Sequence, residues 1–224
     1  MGETIRFERP DGKSATGYLA RAADDAPGVV VIQEWWGLQG QIKGICNRFA
    51  DAGYNALAPD LYDGVVVPYH DTDRAAREMQ SLDFLDATDN TVRGAAQYLA
   101  PDGVRVGLTG FCLGGAVTVL GAIRIPDFSA AVCFYGIPPL EAGRPGDIRV
   151  PIQCHFAGKD DWCTPEAVDA FEAALKSAGR EYELYRYPGA EHGFMNEQRD
   201  VYDEAAARQA WDRCLTFWNR HLEG

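Results

Sequence analysis

Residues 104–115 read Val-Arg-Val-Gly-Leu-Thr-Gly-Phe-Cys-Leu-Gly-Gly. The first six predict a buried strand, and the small residues from Gly114 onward predict a helix that begins without a loop. A strand that turns directly into a helix is the pattern of a nucleophile elbow, here with Cys112 at the bend. Such a bend is tight enough to require small flanking residues, and the helix N-terminus beneath the sulfur favours a thiolate. The alternative is a glycine-rich turn that holds an inert cysteine.

Strands and helices alternate on both sides of this stretch. Residues 3–8 and 15–20 flank the turn Arg9-Pro10-Asp11-Gly12 and predict an antiparallel hairpin. Further strands are predicted at 28–33, 56–58, 130–134, 152–156 and 182–187, and helices at 39–51, 72–85, 89–99, 114–123, 165–178 and 205–221. The alternation predicts an α/β fold, a mostly parallel twisted sheet with helices on both faces. No linker or repeat interrupts it, so we expect residues 1–224 to form a single domain.

Composition limits the classes of function. The 224 residues are 46% hydrophobic and 24% charged, which is typical of a globular chain that can enclose a deep pocket. The net charge of −12 argues against a nucleic-acid partner. No apolar run approaches membrane-spanning length and no signal pattern begins the chain, so we expect no membrane association and a cytoplasmic location. Six scattered cysteines predict neither disulfides nor a metal site, and nothing in the sequence calls for a cofactor.

Two later strands run into candidate partners for Cys112. Elbow enzymes place their catalytic residues in the order nucleophile, acid, histidine. Strand 152–156 runs into a loop with two adjacent aspartates, and strand 182–187 runs into a glycine-flanked turn that holds His192. Carboxyl ends of strands are where open α/β sheets build their sites. The other three histidines lie in a polar loop, inside a strand and near the C-terminus, so we expect His192 to act with Cys112.

The acid is either Asp160 or Asp161, since only one of two adjacent carboxylates can face the imidazole. A common hydrolase spacing puts glycine three residues before the aspartate and proline four residues after it. Gly158 and Pro165 fit this spacing for Asp161. We therefore expect Asp161 to be the acid, and Asp160 to be a loop charge or a cap of the following helix.

The loop after strand 28–33 contains Glu34, Trp35 and Trp36. In elbow enzymes this loop supplies one N–H of the oxyanion hole, and the residue after the nucleophile supplies the other. The backbone amides of Trp35 and Leu113 are therefore the candidates. Trp36 is a candidate substrate contact, while Glu34 on spacing alone reads as an exposed loop charge.

Several short motifs together resemble the dienelactone hydrolase (carboxymethylenebutenolidase) family of the α/β-hydrolase superfamily: Gln33-Glu34, Ala58-Pro59-Asp60-Leu61-Tyr62, Gly110-Phe111-Cys112-Leu113-Gly114-Gly115, Phe134-Tyr135-Gly136 and His192-Gly193-Phe194. They occur in the family's order and span nearly the whole chain. The resemblance implies a compact α/β-hydrolase fold and an enzyme that cleaves a small-molecule ester or lactone. It implies a triad of Cys112, His192 and Asp161, and a Glu34 that contacts Cys112 and helps to activate it when substrate binds.

The resemblance also has departures. Dienelactone-specific members hold the substrate carboxylate with arginines, one of them four residues beyond the catalytic histidine. Here that position is Asn196, with Arg199 nearby. Arg77 is the candidate for a second such arginine, although Arg74 fits almost as well, and Tyr135 is a candidate substrate contact.

Three questions therefore stay open at the level of sequence. The substrate is a dienelactone-type ester, or another acyl ester or thioester cleaved by the same fold. A non-catalytic protein that binds a ligand or senses redox state through Cys112 is the other class. We expect a monomer or a small homo-oligomer.

Overall fold

The computed structural model describes residues 2–100 and 103–223, which are built around one eight-stranded sheet. Its strands are β1 Glu3–Glu8, β2 Ser14–Ala20, β3 Gly28–Ile32, β4 Asn55–Pro59, β5 Val106–Phe111, β6 Ala130–Phe134, β7 Ile152–Lys159 and β8 Tyr182–Glu191. The spatial order is β1-β2-β4-β3-β5-β6-β7-β8. Strands β1 and β2 form an antiparallel hairpin, β2 pairs antiparallel with β4, and the remaining pairs are parallel. The predicted hairpin and mostly parallel sheet are confirmed.

Helices cover both faces of the sheet. They are α1 Gly40–Asp51, α2 Thr72–Ser81, α3 Phe84–Asp86, α4 Arg93–Leu99, α5 Leu113–Arg124, α6 Pro165–Ser177 and α7 Glu204–Trp218. In β3, Val29 and Val31 join the apolar cluster of α1 and α7, whereas Val30 and Ile32 join that of α4 and α5. Alternate residues of a strand point to opposite faces, so these clusters lie on opposite sides. Because these strands are buried on both faces, their sequences are almost continuously apolar.

One predicted helix is divided. The sequence predicts a helix over 72–85, but α2 ends at Ser81 and Leu82 is extended. The Asp83 carboxylate then accepts hydrogen bonds from the backbone N–H groups of Leu85 and Asp86 and starts a new helix. That helix continues through the π-helical segment Ala87–Val92 into α4. Strong N-capping therefore outweighs the continuous helical spacing.

Strand β5 and helix α5 are separated only by Cys112. The turn brings the chain back onto itself, so that a Cβ atom added to Gly110 would lie 2.2 Å from the carbonyl oxygen of Gly114. That distance is far shorter than van der Waals contact. The added Cβ atom would meet a backbone oxygen, which cannot rotate away as a side chain can. A glycine at position 110 is therefore a steric requirement of the elbow, as the sequence predicts.

Two further features concern the whole chain. None of the helices described in residues 2–100 and 103–223 has the length and apolar character needed to cross a bilayer. All six cysteines are free thiols, and Cys112 is the one that is not fully buried. The single domain, the oligomeric state and the cytoplasmic location remain predictions.

The clash at Gly110 predicts a large loss of stability. Gly110→Ala should lower the free energy of unfolding by about 3 kcal/mol, measured by urea denaturation, because the backbone of the elbow must shift. Gly44→Ala is the matched control, since Gly44 lies inside α1 with nothing within 4 Å of the added methyl group. It should instead stabilise the protein by about 0.5–1 kcal/mol. Equal effects of the two variants would contradict the steric argument.

Candidate active site

The candidate site lies at the carboxyl edge of the sheet. Residue pairing places Ile32 of β3 beside Gly110 of β5, and Phe111 of β5 beside Phe134 of β6. The residues that follow these three strands therefore emerge next to one another: Glu34 and Trp35 after β3, Cys112 after β5 and Tyr135 after β6. Strands β7 and β8 end at the same edge and are followed by Asp160 and His192.

Cys112 has an unusual backbone conformation. Its φ is +57° and ψ is −117°, a region that non-glycine residues rarely adopt. Its backbone N–H donates to the Phe134 carbonyl over 3.1 Å, and its own carbonyl accepts from Ala116 over 3.2 Å. The half-buried thiol stands at the N-terminal end of α5, where the helix dipole favours negative charge. This is the geometry expected of a nucleophile elbow.

The acid beside His192 is Asp160, and the prediction of Asp161 is wrong on this point. A bulge in β8 shifts the register between β7 and β8, and pairing resumes at Lys159 and Glu191. The next residues of the two parallel strands, Asp160 and His192, are therefore neighbours. The Asp160 Oδ2 and His192 Nδ1 atoms are 2.8 Å apart. Asp161 lies one residue further along and is exposed, at the cavity rim. Motif spacing cannot detect the bulge that selects between the two.

Backbone hydrogen bonds fix the Asp160 carboxylate. Its Oδ1 accepts from the N–H groups of Trp162 and Cys163, at 2.8 and 2.9 Å, which leaves Oδ2 for the imidazole. Burial raises the pKa of Asp160, but these hydrogen bonds and the charge of His192 outweigh it and lower the pKa below the usual value. The residue is therefore an anion that orients His192 and stabilises its charged form.

The other imidazole nitrogen, Nε2, lies on the side of Cys112. Nε2 has no hydrogen-bond partner of ordinary geometry among the described residues. Burial lowers the pKa of His192. The Cys112 sulfur and Asp160 raise it by more, through charge and hydrogen bonding, so the pKa is about 10. Since Nδ1 is occupied by Asp160, the sulfur faces Nε2. A long contact of this kind is common between catalytic groups before substrate binds.

Glu34 is buried, 3% exposed, and is not the exposed loop charge that its position in the sequence suggests. Its Oε2 accepts from the Asn196 side-chain amide over 2.7 Å, and its Oε1 accepts from the Tyr135 hydroxyl over 3.3 Å. Burial raises the pKa of Glu34, although Asn196 and the charges of His192 and Arg199 offset part of the effect. The described residues contain no hydrogen bond between Glu34 and Cys112, so the contact implied by the resemblance is absent from this conformation.

The predicted oxyanion donors lie together. A Cβ atom on Gly114 would be 2.5 Å from the carbonyl oxygens of both Ile32 and Gln33, so the start of α5 touches the end of β3. Trp35 and Leu113 both line the cavity. Among the described residues, neither of their backbone N–H groups donates a hydrogen bond. Both donors are thus available to a ligand, and their role as an oxyanion hole remains a prediction.

A cavity of about 710 Å³ opens above the sulfur. Tyr135, Asp161 and Arg199 line it together with Cys112 and His192. Most other lining side chains are apolar, including Trp35, Met79, Leu82, Phe84, Leu113, Leu120, Ile137, Pro138 and Trp162.

Two predicted substrate contacts are not at the cavity. Trp36 is 1% exposed and packs in a small core with Val67 and Ala75. Arg77 is exposed on α2 and lies outside the cavity, which α2 reaches through Met79 instead. A one-residue step along a loop or helix changes the direction of the side chain, and the sequence pattern does not fix that direction. These two predictions are therefore corrected.

Comparison with known proteins identifies the family. The sequence profile described as "Dienelactone hydrolase family" matches residues 15–222. The chain belongs to that family. "Protein usf" of Aquifex pyrophilus is 35% identical over 99% of this chain and all of its own length, and "Putative carboxymethylenebutenolidase" of Aquifex aeolicus (strain VF5) is 32% identical over the whole of both.

Solved structures agree as well. A crystal structure from Klebsiella pneumoniae subsp. pneumoniae MGH 78578, described as "Putative Dienelactone Hydrolase", superposes with a TM-score of 0.84 at 29% identity and covers 98% of this chain and 99% of its own. The α/β-hydrolase fold implied by the resemblance is confirmed, and this member of the dienelactone hydrolase family is an ester hydrolase.

Sequence reasoning missed the role of Asn196 in this dienelactone hydrolase family member. In the sequence, position 196 differs from the dienelactone-specific pattern only by the absence of an arginine. In the structure the Asn196 amide holds Glu34, and its Oδ1 accepts from the backbone N–H of Gln198 over 3.1 Å. A buried carboxylate requires such a donor, but the sequence does not reveal that Glu34 is buried.

The choice of acid can be tested by paired substitutions. Asp160→Asn should lower kcat by about 10²–10⁴-fold, because its amide would donate to His192 Nδ1 and impose the wrong tautomer. Asp161→Asn should have a far smaller effect, since that side chain is exposed and does not touch the imidazole. Ester hydrolysis by the two purified variants is the measurement. A larger loss in the Asp161 variant would contradict the geometry.

The burial of Glu34 predicts a pH-dependent stability. Its pKa is raised in the folded state, so its contribution is fully favourable below the unfolded value and is lost as the pH rises through the folded value. Glu34→Gln removes the charge and keeps hydrogen-bonding capacity. It should therefore stabilise the protein above neutral pH, by about 0.5–2 kcal/mol in denaturant unfolding, with a smaller gain near pH 4. The exposed Glu141→Gln is the matched control, and a gain for Glu34→Gln that is equal at every pH would disprove the argument.

Proposed function

We propose that this chain hydrolyses an ester or lactone bond of a small molecule by way of a thioester on Cys112. The observation that best supports the proposal is that one imidazole connects two groups. Asp160 Oδ2 lies 2.8 Å from His192 Nδ1, and the Cys112 sulfur is close enough to raise the pKa of the same imidazole. Cys112 and His192 open onto one cavity, which is large enough for a small organic substrate. In this arrangement Asp160 orients, His192 transfers protons and Cys112 attacks.

Acylation begins from the thiolate of Cys112 beside a protonated His192. The sulfur attacks the carbonyl carbon, a carbon–sulfur bond forms, and the carbonyl oxygen becomes an oxyanion. The backbone N–H groups of Trp35 and Leu113 stabilise this oxyanion, and a donor of this kind typically contributes about 10²–10³-fold in rate. As the carbon–oxygen bond of the ester breaks, His192 Nε2 gives its proton to the departing oxygen.

Deacylation reverses the roles. Neutral His192 takes a proton from a water molecule, and the resulting hydroxide attacks the thioester carbonyl. The carbon–sulfur bond then breaks, and the sulfur leaves as a thiolate beside the protonated imidazole. The balance is one ester and one water consumed, with one carboxylic acid and one alcohol released, so no redox partner is required. In a lactone the acid and the alcohol belong to the same product molecule.

The acyl-enzyme can be detected directly. Mixed with a slowly deacylating nitrophenyl ester and quenched in acid, the wild-type protein should gain the mass of one acyl group, and hydroxylamine should remove it. Cys112→Ala should show no such gain, and its turnover should fall by about 10³-fold or more because the nucleophile is gone.

Cys163→Ala is the matched control for this experiment. Cys163 also lines the cavity, but it is 4% exposed, and burial raises the pKa of its thiol. It should therefore remain unacylated, and its variant should behave like the wild type. Turnover that persists in Cys112→Ala, or an acyl group found on another residue, would refute the proposed nucleophile.

A further inference from the structure

The cavity extends from the nucleophile along one face of α5. Cys112, Ala116 and Leu120 all line it, and they are spaced four residues apart. Residues at this spacing lie one above another on a helix. With a rise of 1.5 Å per residue, the eight steps from Cys112 to Leu120 span about 12 Å. The side chain at the middle position is only a methyl group, so the space between the two ends stays open.

The segment after β6 forms the opposite wall of this channel. Ile137, Pro138, Pro139 and Ala142 line the cavity. Two consecutive prolines restrict the backbone, and the N–H of Ala142 closes a turn on the Pro139 carbonyl over 2.9 Å. The wall is therefore preformed.

The far end of the channel is closed. A Cβ atom on Gly143 would lie 2.9 Å from Leu120 Cδ2 and 2.8 Å from Ile123 Cδ1, so the segment after β6 rests directly on the last turns of α5. Leu120 itself is 1% exposed. A chain that enters from Cys112 therefore meets a limit after about 12 Å.

The residues that form the two walls of the channel are uncharged. The two cations that line the cavity, Lys159 and Arg199, belong to the segments that carry Asp160 and His192. A carboxylate in the channel would lose its hydration without gaining a partner, whereas methylene groups would gain from burial. The lining thus selects for an uncharged, apolar group.

The reaction itself indicates which part of the substrate enters the channel. In the proposed mechanism the departing oxygen must lie against His192 Nε2 to receive its proton. The leaving group is therefore held on the side of His192 and the neighbouring Trp162, whose rings are 6.4 Å apart. The channel along α5 remains for the acyl group that stays bonded to Cys112.

We propose that the α5 channel selects esters whose acyl group is an uncharged, apolar chain of medium length. This inference rests on the proposed function and adds the class of substrate. It assigns Ala116 as the residue that keeps the channel open and Leu120 as the residue that limits its length.

The experiment compares nitrophenyl esters of unbranched acids, from acetate through octanoate to palmitate, on the wild-type protein. We expect kcat/KM to rise by up to about fourfold for each added methylene, and to stop rising once the chain outgrows the channel. An ester of octanedioate, which places a carboxylate at the end of an eight-carbon chain, should be at least about tenfold poorer than octanoate. A parallel series that varies the alcohol should show a weaker dependence on length.

Ala116→Leu should block the channel. The ratio of kcat/KM for octanoate to that for acetate should fall by at least about tenfold, since several methylenes lose their burial. Ala170→Leu adds the same side chain at an exposed position of α6 and should leave the ratio unchanged. Leu120→Ala should extend the preference to longer chains. If the variants do not fold, the wild-type length profile decides alone.

The outcomes separate the two proposals. Hydrolysis of the acetate ester or of lactones, with no gain in kcat/KM from longer acyl chains, would overturn the channel proposal and leave the proposed hydrolase function standing. A length preference that Ala116→Leu does not alter, or one confined to the alcohol, would also overturn it. No hydrolysis of any ester or lactone would refute the proposed function itself.

Discussion

Contact between the backbones of β3 and α5 is the constraint on which the site depends. Because residue 114 has no side chain, the first turn of α5 lies directly against the carbonyl groups of Ile32 and Gln33. This approach fixes Cys112 at the helix N-terminus and brings the N–H of Leu113 to the loop that carries Trp35. The helix dipole favours an anion there by about 0.3–1 kcal/mol, and both N–H groups are unpaired among the described residues. A larger residue at 114 would separate all of these features at once.

The second constraint is the bulge in β8, which delivers the imidazole. Residues 188–190 of β8 oppose the single residue Gly158 of β7, and pairing resumes at Lys159 and Glu191. Two additional residues in β8 thus advance His192 to the level of Asp160. Bulges are common beside active sites because they change the direction of a side chain without breaking the sheet. Neither Asp160 nor His192 needs a long loop, so both are held by paired strands and short turns.

These two constraints explain how much the sequence could predict. Strand alternation and the glycines around Cys112 predicted the sheet and the elbow, since local sterics and hydrophobic period determine them. His192 was predicted from the order of residues in elbow enzymes and from its position after a strand. The choice between Asp160 and Asp161 depends on the register between two strands, which one sequence does not encode locally. Trp36 and Arg77 were misplaced for a related reason, because side-chain direction within a loop or helix follows from tertiary packing. The burial of Glu34 by Asn196 and Tyr135 joins three distant segments, and no local pattern reports it.

The charges around His192 also fit the two opposite tasks that the proposed mechanism gives to this residue. Burial by itself lowers the pKa of His192, and the largest upward effect comes from the sulfur of Cys112, with Asp160 adding a further part. In the mechanism proposed above, this arrangement holds a proton on the imidazole for the departing oxygen, and acylation then converts the sulfur into a neutral thioester. The upward effect of the sulfur on the pKa of His192 disappears while the burial remains, so the pKa falls and the neutral imidazole can activate water. By this proposal the sulfur itself changes its partner from an acid to a base as the reaction proceeds.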